Sequence, residues 1–189
     1  MPEDTLLCWR TQTTVRQVKG WLAANDSAAI GSFLWNRFDE RYFAPFSPLT
    51  ITERNGFMIM ATCCLVIEAL EAFRQGWESS EGRSQLAFCS FLDREPEFHV
   101  FKGYAQPFYR HVRCGILHQA ETTGCWTITL IPVRPMFDAA ELRIQADEFH
   151  KALARSLKAY TDAITRSAPA DEIWQKCVTK LTATIKNCG

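Results

Sequence analysis

The chain has no surplus of either charge: Lys plus Arg and Asp plus Glu are both 21, and the formal net charge is +0. A balanced surface supplies no global field that draws a polyanion, so any nucleic-acid affinity has to come from a local patch. The 8 cysteines show no C-x2-C spacing and no Cys/His tandem, which excludes a zinc-ribbon or zinc-finger reading. In a reducing compartment such scattered thiols serve as small core residues. The N-terminus, M-P-E-D-T-L-L-C-W-R, is acidic before it is apolar and lacks the basic and then apolar regions of a secretory leader, which predicts a cytoplasmic protein. The uncharged run from Phe57 to Ile67 is about half of the roughly 20 residues that a membrane span needs, so no membrane partner is expected. Internal repeats, low-complexity segments and linkers are also missing. With 189 residues, 47% of them hydrophobic, this predicts one domain over residues 1–189.

What is there is mostly helical periodicity. The first twenty-five or so residues have no clear period and read as a short helix or an arm. From Asp26 or Ser27, both good N-caps, Ile30, Leu34, Phe38 and Tyr42 recur every four residues until Pro45 and Pro48. Thr50 and Glu53 have capping-box spacing, and the residues from Phe57 to Phe73 are apolar nearly all round, which makes that helix central. Glu68 and Glu71 are its exceptions. Either both lie on one wet stripe, or they need partners, because a carboxylate on a buried helix is costly when unpaired. One pairing to expect is Glu68 with Arg113.

Leu86, Cys89 and Leu92 predict a further helix ending near Pro96, followed by a loop over 97–104 with His99 at the surface. A helix then runs from about Pro107 to Ala120. Trp126, Ile128 and Leu130 alternate with polar residues as a half-buried strand does, and Leu142 with Ile144 is the expected hairpin partner. Phe149, Leu153, Leu157, Tyr160 and Ile164 form one helical stripe, and Trp174, Val178, Leu181 and Ile185 another. The fold class is therefore all-α in the main: a bundle of five to six helices with a small β-hairpin inserted after the helix at 107–120.

Chemistry concentrates between Gln106 and Trp126, where Arg110, His111, Arg113, Cys114 and His118 lie. Arg113 and His118 form an R-x4-H pattern near the end of a helix. Gly124 and Trp126 make a turn after it, and two amphipathic helices follow, the last with Trp174 and a Lys-rich end. Over roughly Asp26 to Cys188 this resembles the HEPN superfamily. The resemblance implies a metal-independent endoribonuclease that leaves a 2′,3′-cyclic phosphate and a 5′-hydroxyl, in phage defence or as a toxin held by an antitoxin partner. It also implies a homodimer through the motif helix, RNA as the substrate and no cofactor. Many active members carry Asn, Asp or His directly after the Arg, where this chain has Cys114.

The residue chemistry fits those roles. An imidazole such as His118 titrates in the right range to take a proton from a 2′-hydroxyl, and Arg113 offers a fixed charge with forked donors to a phosphorane. At 100° per residue, five residues put the two about 140° apart on an ideal helix. Either the helix loosens before His118, or Arg113 of one copy meets His118 of another. Cys114 and Gly115 between them suit a close helix contact, since Gly costs about 1 kcal/mol in a helix interior and so implies a packing reason. His111 and His118 are two turns apart on one face, and Arg110 with His111 is a secondary phosphate contact. Three other readings stay open: an inactive interaction or nucleotide-binding module, a thiol enzyme using Cys114 with His118 at i,i+4, and a purely structural pair at the end of a helix.

Overall fold

The computed structural model describes residues 2–46, 55–131 and 135–187. The Thr50–Glu53 capping box, Pro48, Pro132 and Cys188 lie outside them. The described chain is mostly helical and divides into two compact units.

The first unit comprises Met1–Pro45, Ala72–Ser80 and Ser156–Gly189. It opens with two short antiparallel strands, β1 (Leu6–Cys8) and β2 (Thr13–Thr14), and helix α1 (Val15–Ala23). The expected arm is thus a hairpin and a helix. No periodicity marks strands of this length; tertiary partners hold them. Both Glu40 oxygens accept from the turn, from the Trp9 amide at 3.0 Å, the Arg10 amide at 2.7 Å and the Cys8 thiol at 3.3 Å. Those amides hold the Glu40 carboxyl below its usual value against the opposing effect of burial. Thr14 and Gln17 form a reciprocal capping box at the start of α1.

Helix α2 (Ser27–Phe38) begins where expected, with the Asp26 carboxylate capping the Ala29 amide at 2.9 Å. It buries Ile30, Leu34 and Phe38 but continues as a π turn over Asp39–Phe43. The extra residue in that wider turn shifts the stripe by one, so Phe43 is buried and Tyr42 only half-buried. The C-terminal part of α7 (Ala146–Thr165) contributes Leu157, Tyr160 and Ile164 to the core, and α8 (Glu172–Asn187) contributes Trp174, Cys177, Leu181 and Ile185. Val178 is half-buried, with Cys177 taking the inward position.

The second unit comprises Phe46–Glu71 and Glu81–Arg155. It contains most of α3 (Gly56–Gln75), whose length and composition would suit a membrane span, although 61% of its most apolar window is buried in the protein. Helix α4 (Ser84–Arg94) is where expected, but its inner face is Ala87, Phe88, Phe91 and Leu92. Leu86 is 55% exposed and Cys89 half-buried. Leu92 is buried as expected, but Ala87, Phe88 and Phe91 bury more area than Leu86 and Cys89 would, so the helix turns that side inward. Residues 96–101 form a 3-10 turn that buries Phe98 and Phe101 and leaves His99 exposed.

The sheet departs from the expected hairpin. Strand β3 (Thr127–Thr129) pairs with β5 (Arg143–Gln145) in parallel, and the antiparallel partner of β5 is β4 (Phe137–Asp138). Ile128 does lie opposite Ile144, yet the order β3-β5-β4 makes a three-stranded mixed sheet. The alternation identifies which residues pair; the direction depends on a connection that has no periodic signal. Phe137 and Trp126 stack with centroids 5.1 Å apart, Phe137 and Phe101 at 4.5 Å, and Phe108 and Phe149 at 5.5 Å. This aromatic cluster is the backing against which the next helix is set.

Candidate functional site

The expected helix at 107–120 is present and begins at α5 (Ala105–Phe108), with Pro107 in its first turn, where its missing amide costs nothing. A π turn over Tyr109–Arg113 follows, and then α6 (Cys114–Gln119). The helix does loosen, but before Arg113 and not between Arg113 and His118. Cys114 to Gln119 is regular α-helix, so the angle of about 140° between Arg113 and His118 stands. The chain brings the two together in sequence and not onto one face.

Arg113 is held from outside its own helix. Its Nε donates to Glu68 Oε1 at 2.8 Å and its Nη2 lies 2.7 Å from the same oxygen. The Ser84 hydroxyl donates to Glu68 Oε2 at 2.9 Å and accepts from Arg113 Nη2 at 3.4 Å. The Tyr109 ring lies under the guanidinium, 5.6 Å from its carbon. Side-chain exposure is 15% for Arg113 and 16% for Glu68. Burial works to lower the Arg113 pKa, but the Glu68 bonds and charge outweigh it and raise the value. Burial and the neighbouring Cys114 thiol push the Tyr109 phenol up. Nη1 is not among the donors to Glu68 or Ser84.

Glu68 therefore has the Arg113 partner that a buried helix requires. Glu71 is fully buried and not on a wet stripe: Arg94 Nη1 donates to its Oε1 at 3.1 Å, and Nη2 to its Oε2. The wet-stripe reading fails for a simple reason. Neighbouring elements supply two arginines, and these satisfy carboxylates that water would otherwise have to solvate.

The other site residues separate. His118 is exposed, and Arg110 is exposed as well. His111 is half-buried and faces the loop that returns from the helix. Its Nδ1 is 2.9 Å from Thr123 Oγ1, its carbonyl accepts from the Thr123 amide at 3.0 Å, and Gly124 lies over its ring. A Cβ on Gly124 would stand 2.6 Å from Nδ1. His111 thus does not share an open surface with His118. The seven-residue step between them runs through the π turn, which is wider than the α turn on which that alignment depends.

Gly115 is likewise buried by its own chain. An added Cβ would meet the Glu121 carbonyl oxygen at 2.5 Å, so the returning loop by itself requires its small size. The helix closes at Ala120 in the left-handed region, with φ 55° and its amide bonded to Gly115 and Ile116 carbonyls; the His118 side chain plays no part in that cap. Cys114 is half-buried, and Cys8, Cys63, Cys64 and Cys177 are buried. Burial pushes the Cys177 thiol up to about 12. Among the described residues no group of three His, Cys, Asp or Glu is placed to hold a metal ion.

Sequence reading missed Ser84 and Tyr109. Ser84 is the first residue of α4, where a hydroxyl ordinarily reads as a capping group, and only the fold directs it to Glu68. Tyr109 stands four residues before Arg113, a spacing at which helix side chains meet. Compared with known proteins, the chain matches no family model, no curated protein and no solved structure.

Proposed function

We propose that the chain is a metal-independent endoribonuclease of HEPN type, working in the cytoplasm in a defence or toxin–antitoxin setting. The observation that carries this is the fixed guanidinium: Arg113 is held by Glu68 and Ser84 with its charge intact, on the same helix as the exposed His118. A preoriented cation stabilises charge that develops on phosphorus. His118 takes the proton from a 2′-hydroxyl, and that oxygen bonds to phosphorus. The bond from phosphorus to the 5′-oxygen breaks, and the proton passes to the leaving oxygen. The products are a 2′,3′-cyclic phosphate and a 5′-hydroxyl.

Because Arg113 and His118 do not share a face, each working pair takes Arg113 from one copy and His118 from the other. Leu117 lies one turn after Arg113 and Leu65 one turn before Glu68; they are 52% and 49% exposed, which suits a surface covered by a second copy. The test is cleavage of single-stranded and structured RNAs by purified protein in EDTA. Arg113→Ala and His118→Ala are each expected to abolish it with helical content unchanged. Verified mixed dimers of the two variants are expected to recover about half of native activity, on independent sites. Native activity without rescue overturns the shared pair, and absence of chelator-resistant cleavage overturns the nuclease.

A second reading, an inactive HEPN-like interaction or nucleotide-binding module, is favoured by one specific observation. The Arg113 charge already has a carboxylate partner, and Cys114 stands where many active HEPN nucleases carry Asn, Asp or His. A native protein that binds RNA or a nucleotide and cleaves neither is the outcome expected of it.

A further inference from the structure

We propose that Glu68 is an internal occupant of the phosphate-binding edge of Arg113, so that the structure shows a locked state which a polyanion must open by displacing a carboxylate. An arginine recognises two anionic oxygens best through its Nε and Nη2 donors, a planar pair in fixed geometry. Here both donors point at one carboxylate oxygen, at 2.8 and 2.7 Å. The other oxygen is capped by the Ser84 hydroxyl at 2.9 Å, which also accepts from Nη2. Glu68 and Ser84 together thus imitate the oxygens of a bound phosphate diester.

The lock is able to open where the neighbouring pair is not. Glu68 and Arg113 are 16% and 15% exposed, so water reaches both partners once they separate. In the neighbouring pair Arg94 is 39% exposed, but Glu71, three residues further along α3, has no exposed side-chain surface, so water has no route to that carboxylate. A lock of this kind keeps a site built on a single fixed cation from binding phosphate indiscriminately. It selects for ligands with several adjacent phosphates, whose local concentration of charge competes with one carboxylate. RNA chains meet that requirement and inorganic phosphate does not.

The inference rests on the phosphate-binding role proposed for Arg113, and its test does not need cleavage. Binding of a single-stranded RNA oligonucleotide is measured across a salt series for the native chain, Glu68→Gln, Ser84→Ala and Glu121→Gln. The last removes the same charge from the exposed loop after α6. Glu68→Gln is expected to bind about tenfold more tightly, the scale of a charge-assisted contact. Its slope of log affinity against log salt should steepen by about 0.7, the value for one added phosphate contact to a single strand. Ser84→Ala, which uncaps the carboxylate and frees Nη2 of its longer contact but leaves the Glu68 charge, should move in the same direction by less. Glu121→Gln should leave the slope unchanged, and adding Arg113→Ala to Glu68→Gln should erase the gain.

If folded Glu68→Gln or Ser84→Ala binds no more tightly than native protein, Glu68 is a positioning group and the lock is overturned, whether or not the native chain cleaves RNA. If the gain appears and depends on Arg113 while no variant cleaves, the lock stands and the nuclease reading falls. A gain that survives Arg113→Ala is general electrostatics and also overturns the lock. Should Glu68→Gln fail to fold, the salt slope of Ser84→Ala decides alone.

Discussion

Two arginine–glutamate pairs hang from the same helix, three residues apart, and they differ in kind. Arg94 grips Glu71 with two nitrogens on two oxygens, and the carboxylate has no exposed surface. Arg113 puts two nitrogens on one oxygen of Glu68, and a serine takes the other. The first is a closed fork on a carboxylate with no exposed surface, and breaking such a buried pair is costly. The second is held from several sides but wet at its rim, so its members keep other options. What distinguishes the two pairs is therefore not the residue types, which are the same, but the carboxylate: Glu71 has no exposed side-chain surface, whereas Glu68 keeps 16%. The π turns make the same point. Asp39–Phe43 holds Glu40, whose carboxylate accepts from three donors, whereas Tyr109–Arg113 ends in a cation that donates to Glu68 and Ser84 through Nε and Nη2. A π turn alone does not mark a site, although such turns are frequent at sites.

Removing each arginine breaks or sharpens this contrast. Arg94→Ala is expected to lower the unfolding free energy by about 3 kcal/mol, because a carboxylate with no exposed surface loses a two-pronged charged partner. Urea denaturation measures it, and a loss under about 1 kcal/mol would erase the distinction between the pairs. Next in size is Gly115→Ala, where the added methyl meets the Glu121 carbonyl. A cost of about 1–3 kcal/mol follows from overpacking, together with faster amide exchange at Thr123, whose bond to the His111 carbonyl keeps the loop in place. Arg113→Ala should cost about 1–2 kcal/mol, less than Arg94→Ala, since the Glu68 it leaves is 16% exposed and retains Ser84. A loss equal to that of Arg94→Ala would mean that Arg113 is core and not site. The smallest effect belongs to His118→Ala, within about 0.5 kcal/mol, as for an exposed residue away from any packing role. A larger loss would show that the imidazole supports the end of the helix.

Much of the helical content was open to inspection in the primary structure. The stripe of Phe149, Leu153, Leu157, Tyr160 and Ile164 and the cap at Asp26 rest on local periodicity and local hydrogen bonding. Such signals survive without any knowledge of neighbours. The Glu68–Arg113 pair was legible as one of two alternatives, because Glu68 and Glu71 on an apolar helix need either a wet stripe or partners. The R-x4-H pattern, the charge balance and the separation of about 140° along an α-helix are likewise properties of the chain itself.

Tertiary structure alone decided the rest. Which side of α4 faces inward, the parallel pairing of β3 with β5, the hairpin at Leu6–Thr14 and the saturation of Glu40 all depend on contacts between distant segments. So do the burial of Gly115 under the loop after the helix and the pairing of His111 with Thr123. The physical reason is one of range. Backbone preferences and side-chain periods act over a turn or two of chain, whereas burial and ion pairing are settled by whatever the fold brings alongside, and a sequence read in order contains no distances between those segments.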